Sequence, residues 1–241
     1  MKNYEESALS ELIIWKTKME KKPSPSGNLA KALQEKMNNL YPDKIRNLIT
    51  GSIKHMVKLV LVGSEYTSKQ PIMNATLEYR ENLTKENLNS YRNLATASGA
   101  GTGASGFIVG LADFPILLSL KMKFLFEVAS NYGFDVRNYK ERLFMLYVFQ
   151  LAFSSDKRRI EVYEQILNWD NYVKELPEDV NAFDWKTFEQ EYRDYNDLVK
   201  MLQLVPGIGL VVGAYANHKL MNKLGETAIN AYRLRVFKLN P

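Results

Sequence analysis

Apolar residues recur at three- and four-residue spacing along most of this chain, and that period, which only an α-helix turns into a continuous face, decides the fold class. Leu9, Leu12, Ile13 and Met19 predict an amphipathic helix over residues 4–21, ended by Pro23-Ser24-Pro25-Ser26-Gly27. Asp43 then reads as an N-cap for a helix to Leu61 carrying Ile45, Leu48, Ile49, Ile53, Met56 and Val60. Thr84 opens a helix toward Ala97. Asp113 caps one that runs to Asn131 or Tyr132, with Pro115 in its first turn and Gly133 as its left-handed stop. Asp135 begins a helix bearing Leu143, Leu146, Tyr147 and Leu151, and Asp156 begins another to Asn168. Residues 170–183 read as a loop, Asp184 starts a helix to Val205, and after Pro206 a last helix runs from Gly209 to Phe237. No alternating run predicts a strand, and no period repeats. The expectation is one all-α domain over residues 1–241 of about nine helices, with residues 1–27 as its amphipathic helix and Pro/Ser/Gly linker.

Composition narrows the function classes. The 241 residues are 46% hydrophobic, enough for a core without staples. Cysteine is absent, which excludes disulfides, thiolate zinc sites and a cysteine nucleophile. Residues 1–9 are polar and charged, with no signal-peptide apolar region, so the cytoplasm is expected. The net charge of +5 comes without a nucleic-acid module, so no nucleic-acid partner is expected. Lys16, Lys18, Lys21 and Lys22 form one denser patch, read either as a solvated helix face or as an anionic-lipid contact.

Two glycine-rich apolar segments stand out. In the first, Gly99, Gly103, Gly106 and Gly110 fall four, three and four apart and share one helix face, leading to Asp113 and Pro115. The second holds Pro206, Gly207, Gly209, Gly213 and Asn217. Glycine costs a helix interior about 1 kcal/mol relative to alanine, so either something packs against these faces or the segments are connectors. The expectation is that the two pack against each other or line a pocket for an apolar ligand. Gly101, Gly103 and Gly106 also match G-x-G-x-x-G, but no strand precedes them, so no dinucleotide and no cofactor is expected. A spanning helix needs about 20 mainly apolar residues. Both segments are interrupted short of that, which leaves buried core segments or partial membrane insertion.

Catalytic patterns are missing. The two histidines, His55 and His218, form no helical metal pair, and neither G-x-S-x-G nor a P-loop occurs. Most carboxylates fall on polar helix faces. Asp113 is isolated among apolar residues, where helix capping accounts for it and proton handling is the sharper alternative. Trp185, Tyr192 and Tyr195 are core or interface candidates.

The helix Tyr4–Trp15 before Lys22-Pro23, the glycine run into Leu111-Ala112-Asp113-Phe114-Pro115, the closing Tyr132-Gly133-Phe134-Asp135, and Pro206-Gly207, Gly213, Asn217, Ala228, Tyr232 and Arg233 form one pattern. It resembles the EcsC family over nearly the whole chain. The resemblance implies a bacterial protein encoded beside the ATPase and permease of an ABC transporter linked to secretion or membrane-protein processing, and it transfers no catalytic residue. Three functions follow as expectations. The first is a non-enzymatic accessory protein at the cytoplasmic membrane face, partnered by that transporter. The others are a lipid or apolar-ligand binding protein, and a hydrolase with a dispersed site.

Overall fold

A computed structural model describes residues 3–21, 43–62, 70–103, 114–154, 156–178 and 209–239. These residues contain eight helices and no strand: α1 (Tyr4–Glu20), α2 (Asp43–Val62), α3 (Leu77–Gly103), α4 (Phe114–Asn131), α5 (Tyr139–Phe153), α6 (Asp156–Leu167), α7 (Trp169–Tyr172) and α8 (Gly209–Val236). The all-α expectation holds. The helix expected over Asp184–Val205 lies outside the described residues, as do Gly106, Gly110, Asp113, Pro206, Gly207 and Lys22.

The two longest helices, α3 and α8, are each about 40 Å long at 1.5 Å per residue, and they share the most extensive interface. They run antiparallel. Glu81 meets Arg233, Leu88 meets Gly225, and Arg92 meets Asn222, so eleven positions forward on α3 match eleven back on α8. Gly225 permits this approach, since a Cβ there would sit 2.5 Å from a Leu88 methyl. Helix α4 lies antiparallel to α3, through Asn131 to Thr84 (3.2 Å) and Tyr91 on Phe124 (ring centroids 5.9 Å). Helix α1 lies antiparallel to α8, with Glu11 on Arg233 and Lys18 on Glu226. Every residue of α5 from Glu141 to Phe153 is buried, which explains its all-round apolar sequence: it is the central helix, enclosed by α2, α4, α6 and α8.

Helix starts differ from the sequence expectation for local reasons. Helix α3 begins at Leu77, not Thr84, because Thr76 is the residue that caps it: its hydroxyl accepts the Tyr79 N–H at 3.2 Å. Thr84 sits buried inside the helix and donates back to the Arg80 carbonyl. Helix α5 begins at Tyr139, not Asp135, because the Asn138 side chain accepts the Lys140 N–H, while Asp135 closes a turn onto Arg137. The expected loop 170–183 opens inside the one-turn α7, whose Trp169 packs on Phe144. The buried face of α1 is Ala8, Leu12, Trp15 and Met19; Ile13, expected inside, is exposed together with Ile14. Trp15 takes the core position because its ring meets Tyr163 edge-on at 5.8 Å.

Gly133 ends α4 as expected, at φ +89. The Gly133 N–H donates to the Ser130 carbonyl and the Phe134 N–H to Ala129, the paired bonds of a Schellman turn. A Cβ at Gly133 would stand 2.6 Å from the Arg80 guanidinium, which binds the Tyr132 carbonyl, and 3.1 Å from the Ile72 carbonyl oxygen. Gly51, inside α2, faces open space. Gly133→Ala is therefore expected to lower stability by about 1–3 kcal/mol. Gly51→Ala should raise it by up to about 1 kcal/mol. Urea titration of both variants checks the assignment, and a shift of the same sign in both would contradict it.

Candidate functional site

The densest chemistry lies where the C-terminal turns of α8 meet α1, α3, α4 and α5. Arg233 and Arg235 fall in the last turn of α8, where a cation complements the helix dipole. Arg233 donates from Nε to Glu81 Oε1 at 2.7 Å and from Nη2 to Oε2 at 2.6 Å, with both side chains buried. The Tyr4 hydroxyl donates to Oε2 at 2.7 Å and the Tyr132 hydroxyl to Oε1 at 3.1 Å. Arg233 Nη1 reaches outward to Glu11 at 2.9 Å. Beside this pair, Arg235 Nη1 donates to both Glu141 oxygens at 2.7 and 2.8 Å, and the Tyr232 hydroxyl adds a bond at 3.0 Å. The Arg235 guanidinium lies over the rings of Phe134 (3.8 Å) and Phe144 (4.5 Å). Tyr132 and Tyr232 stack between the two pairs at 5.3 Å.

Burial pushes the Glu81 carboxyl up, but the Arg233 hydrogen bonds and charge, helped by Tyr4 and Tyr132, bring it below its ordinary value. Burial and the adjacent carboxylates push Tyr132 and Tyr232 up. Glu81 accepts from two arginine nitrogens and two phenols, which fills about the four acceptor sites a carboxylate has. It has no lone pair left for a substrate and no proton to give. The cluster is a structural tie joining α1, α3, α4 and α8.

Sequence reasoning passed over Glu81, Glu141 and Arg235, since their partners lie far along the chain and no local spacing marks them. It also passed over Lys121. That lysine is buried on α4, and among the described residues its ammonium donates to the Leu117 carbonyl alone, at 3.3 Å. Among the described residues no carboxylate offsets its charge, and burial pushes it down to about 8.

The sequence-predicted residues lie elsewhere. Gly99 and Gly103 are in the C-terminal turns of α3, and Gly209 and Gly213 in the N-terminal turns of α8. Residues 77–103 are helical, so a helix and not a strand precedes the G-x-G-x-x-G match. Pro115 is exposed in the first turn of α4, and Asn217 is buried on α8. Lys18 pairs with Glu226 at 3.1 Å, Lys16 is half-buried, and Lys21 is exposed, its carbonyl accepting from Arg159. His55 is exposed, and His218 lies 3.3 Å from the Asn222 amide.

Two predictions follow from this electrostatic arrangement. Glu81→Gln strands a buried guanidinium and should cost about 3–5 kcal/mol. Glu11, 60% exposed, should cost at most about 1 kcal/mol as Glu11→Gln. The folded Glu81 carboxyl lies below its ordinary 4.5, so its contribution is full above that pH and is lost as pH falls through the folded value. Denaturation between pH 3 and 7 should therefore show a flatter acid limb for Glu81→Gln, and an unchanged limb would remove Glu81 from this role. Lys121 has the opposite sign. Its folded value of about 8 lies below the ordinary 10.5, so the unfolded chain binds the extra proton between them and stability rises with pH across that window. Lys121→Met should stabilise by about 1–3 kcal/mol at pH 7, and the gain should shrink by pH 10. A destabilised variant with no pH-dependent gap would show that the ammonium has a partner.

Comparison with known proteins gives a consistent picture. The chain is similar to Protein EcsC of Bacillus subtilis (strain 168), 44% identical over 231 residues, which covers 95% of each chain. It is also similar to the uncharacterized protein YdbA of the same organism, 29% identical over 172 residues, covering 70% of this chain and 62% of that one. No solved structure matches it. The sequence profile of the EcsC protein family matches residues 6–237, and the chain belongs to that family.

Proposed function

We propose that the protein is a non-enzymatic accessory factor at the cytoplasmic membrane face, working with an ABC transporter linked to secretion or membrane-protein processing. The transporter link is what the family resemblance implies. The membrane part is supported by the uneven placement of charge along the bundle, which is the observation that carries the proposal. Both buried ion pairs, Glu81–Arg233 and Glu141–Arg235, lie at one end. Toward the opposite end, among the described residues, α3 carries no charge after Arg92, α4 none before Lys121 and α8 none before His218. No helix among the described residues is long and apolar enough to cross a membrane, so association at the surface is the mode that fits.

A second reading, an apolar ligand held between the glycine segments, draws on the helix register. Nine positions past Arg92 on α3 is Gly101, and nine before Asn222 on α8 is Gly213, so continuing the pairing sets these glycines level. Close backbone approach there would suit packing or a thin lipid chain.

Fractionation of native cells tests the main proposal. The protein should sediment with membranes and be released by high salt or carbonate, and mild cross-linking before affinity capture should recover the transporter ATPase and permease. A need for detergent would mean that a segment spans the bilayer. Full recovery in the soluble fraction without transporter subunits would overturn the proposal.

A further inference from the structure

We infer that the outer face of α1 is a dimerisation surface, on which a second copy of this chain lays its own α1 antiparallel, about a two-fold axis passing between Ile13 and Ile14. This goes beyond the accessory role proposed above and does not depend on it.

Helix α1 turns apolar side chains to both of its sides. Ala8, Leu12, Trp15 and Met19 face the bundle, while Ile13 and Ile14 are 54% and 71% exposed, Ile14 being the most exposed large apolar side chain among the described residues. At about 100° per residue, Glu6, Ser10, Thr17 and Lys21 fall along a line between the two isoleucines, and all four are exposed. The Ser10 hydroxyl donates to the Glu6 carbonyl at 2.8 Å and the Thr17 hydroxyl to the Ile13 carbonyl at 3.0 Å. Both hydroxyls are satisfied within their own helix, so the face can lose its water without stranding a donor. Short side chains on the midline also let a second helix approach closely.

The order of residues along this stripe names the occupant. Glu6 and Lys21 stand equally far from the midpoint between Ile13 and Ile14, one toward each end, and Ser10 and Thr17 do the same. A two-fold through that midpoint therefore gathers four isoleucines at the axis, sets Ser10 level with the partner's Thr17, and sets Glu6 level with the partner's Lys21, about 11 Å to either side. Among the described residues neither Glu6 nor Lys21 has an ion-pair partner in its own chain. Beside the stripe, Lys18 is held by Glu226, Glu11 by Arg233, and Glu20 turns to the Tyr163 hydroxyl. A parallel copy would set Glu6 on Glu6 and Lys21 on Lys21. An anionic bilayer would attract Lys21 and repel Glu6, whereas the antiparallel copy complements both. Glu6, Ser10, Ile13, Ile14, Thr17 and Lys21 are few against the roughly 20–30 residues a side of a standard interface, so a weak, concentration-dependent dimer is expected.

The test uses the full-length protein. Sedimentation velocity over a concentration series should show a reversible monomer–dimer equilibrium. Ile13→Glu/Ile14→Glu should weaken it about tenfold or more, and Glu6→Lys and Lys21→Glu should each weaken it about fivefold. The double swap Glu6→Lys/Lys21→Glu should restore it, because the antiparallel pairing exchanges the two ends. These sites are exposed, so a melting curve confirms that each variant is folded. The chain has no cysteine, so Ile14→Cys under mild oxidation should give a covalent dimer, while Leu94→Cys, exposed on α3, should not. A monomer at every concentration would overturn the inference, as would a dimer that survives Ile13→Glu/Ile14→Glu, which would place the contact on another face. Loss with the isoleucines but no rescue by the double swap would overturn the antiparallel pairing. A native protein that stays monomeric yet binds phosphatidylglycerol vesicles, and loses that binding with Ile13→Glu/Ile14→Glu, would overturn it by assigning the face to a bilayer.

Discussion

Glu81 and Arg233 stand 152 positions apart in the chain and meet as a two-bonded ion pair in the interior. Taking two charges out of water costs several kcal/mol per ion, and the cost is offset only when geometry and further hydrogen bonds are good. Tyr4 and Tyr132 supply those bonds, so the pair closes only when α1, α3, the end of α4 and α8 are all in place. A slip of α3 along α8 by one turn would leave both ions buried and unmatched. The pair thus acts on register more than on net stability. The Leu88–Gly225 and Arg92–Asn222 contacts follow from the same alignment.

That alignment also polarises the molecule. Arg233 and Arg235 gather their carboxylates at the C-terminal end of α8, while among the described residues α3 carries no charge after Arg92, α4 none before Lys121 and α8 none before His218. The reactive-looking groups are spent on one another. Lys121 is a buried cation whose ammonium, among the described residues, donates to a single carbonyl of its own helix.

Part of this was readable beforehand. Helix spacing and stop signals placed α2, α4, α6 and α8 nearly as they stand, because periodicity and punctuation are local properties. Gly133 is the cleanest case, since a left-handed stop before Phe134 is a preference carried by the residue itself. The start of α3 was misplaced because Thr84 and Thr76 are chemically the same, and only the packing of Thr84 against Asn131 shows which one is interior. The buried face of α1 was misplaced because Ile13 and Trp15 are both apolar, and the choice between them was made by Tyr163 on another helix.

The sequence by itself determined that the chain is all-α, that it holds no thiol chemistry, and that two stretches are poor in charge and rich in glycine. Those follow from residue type and short-range spacing. Only the tertiary structure decided that Glu81, Glu141, Arg233 and Arg235 are paired inside and that α5 is the enclosed helix. The reason is physical: a buried ion pair and an enclosed helix each draw on helices far apart in the chain, and the energy of each depends on distance in space, which no local pattern records.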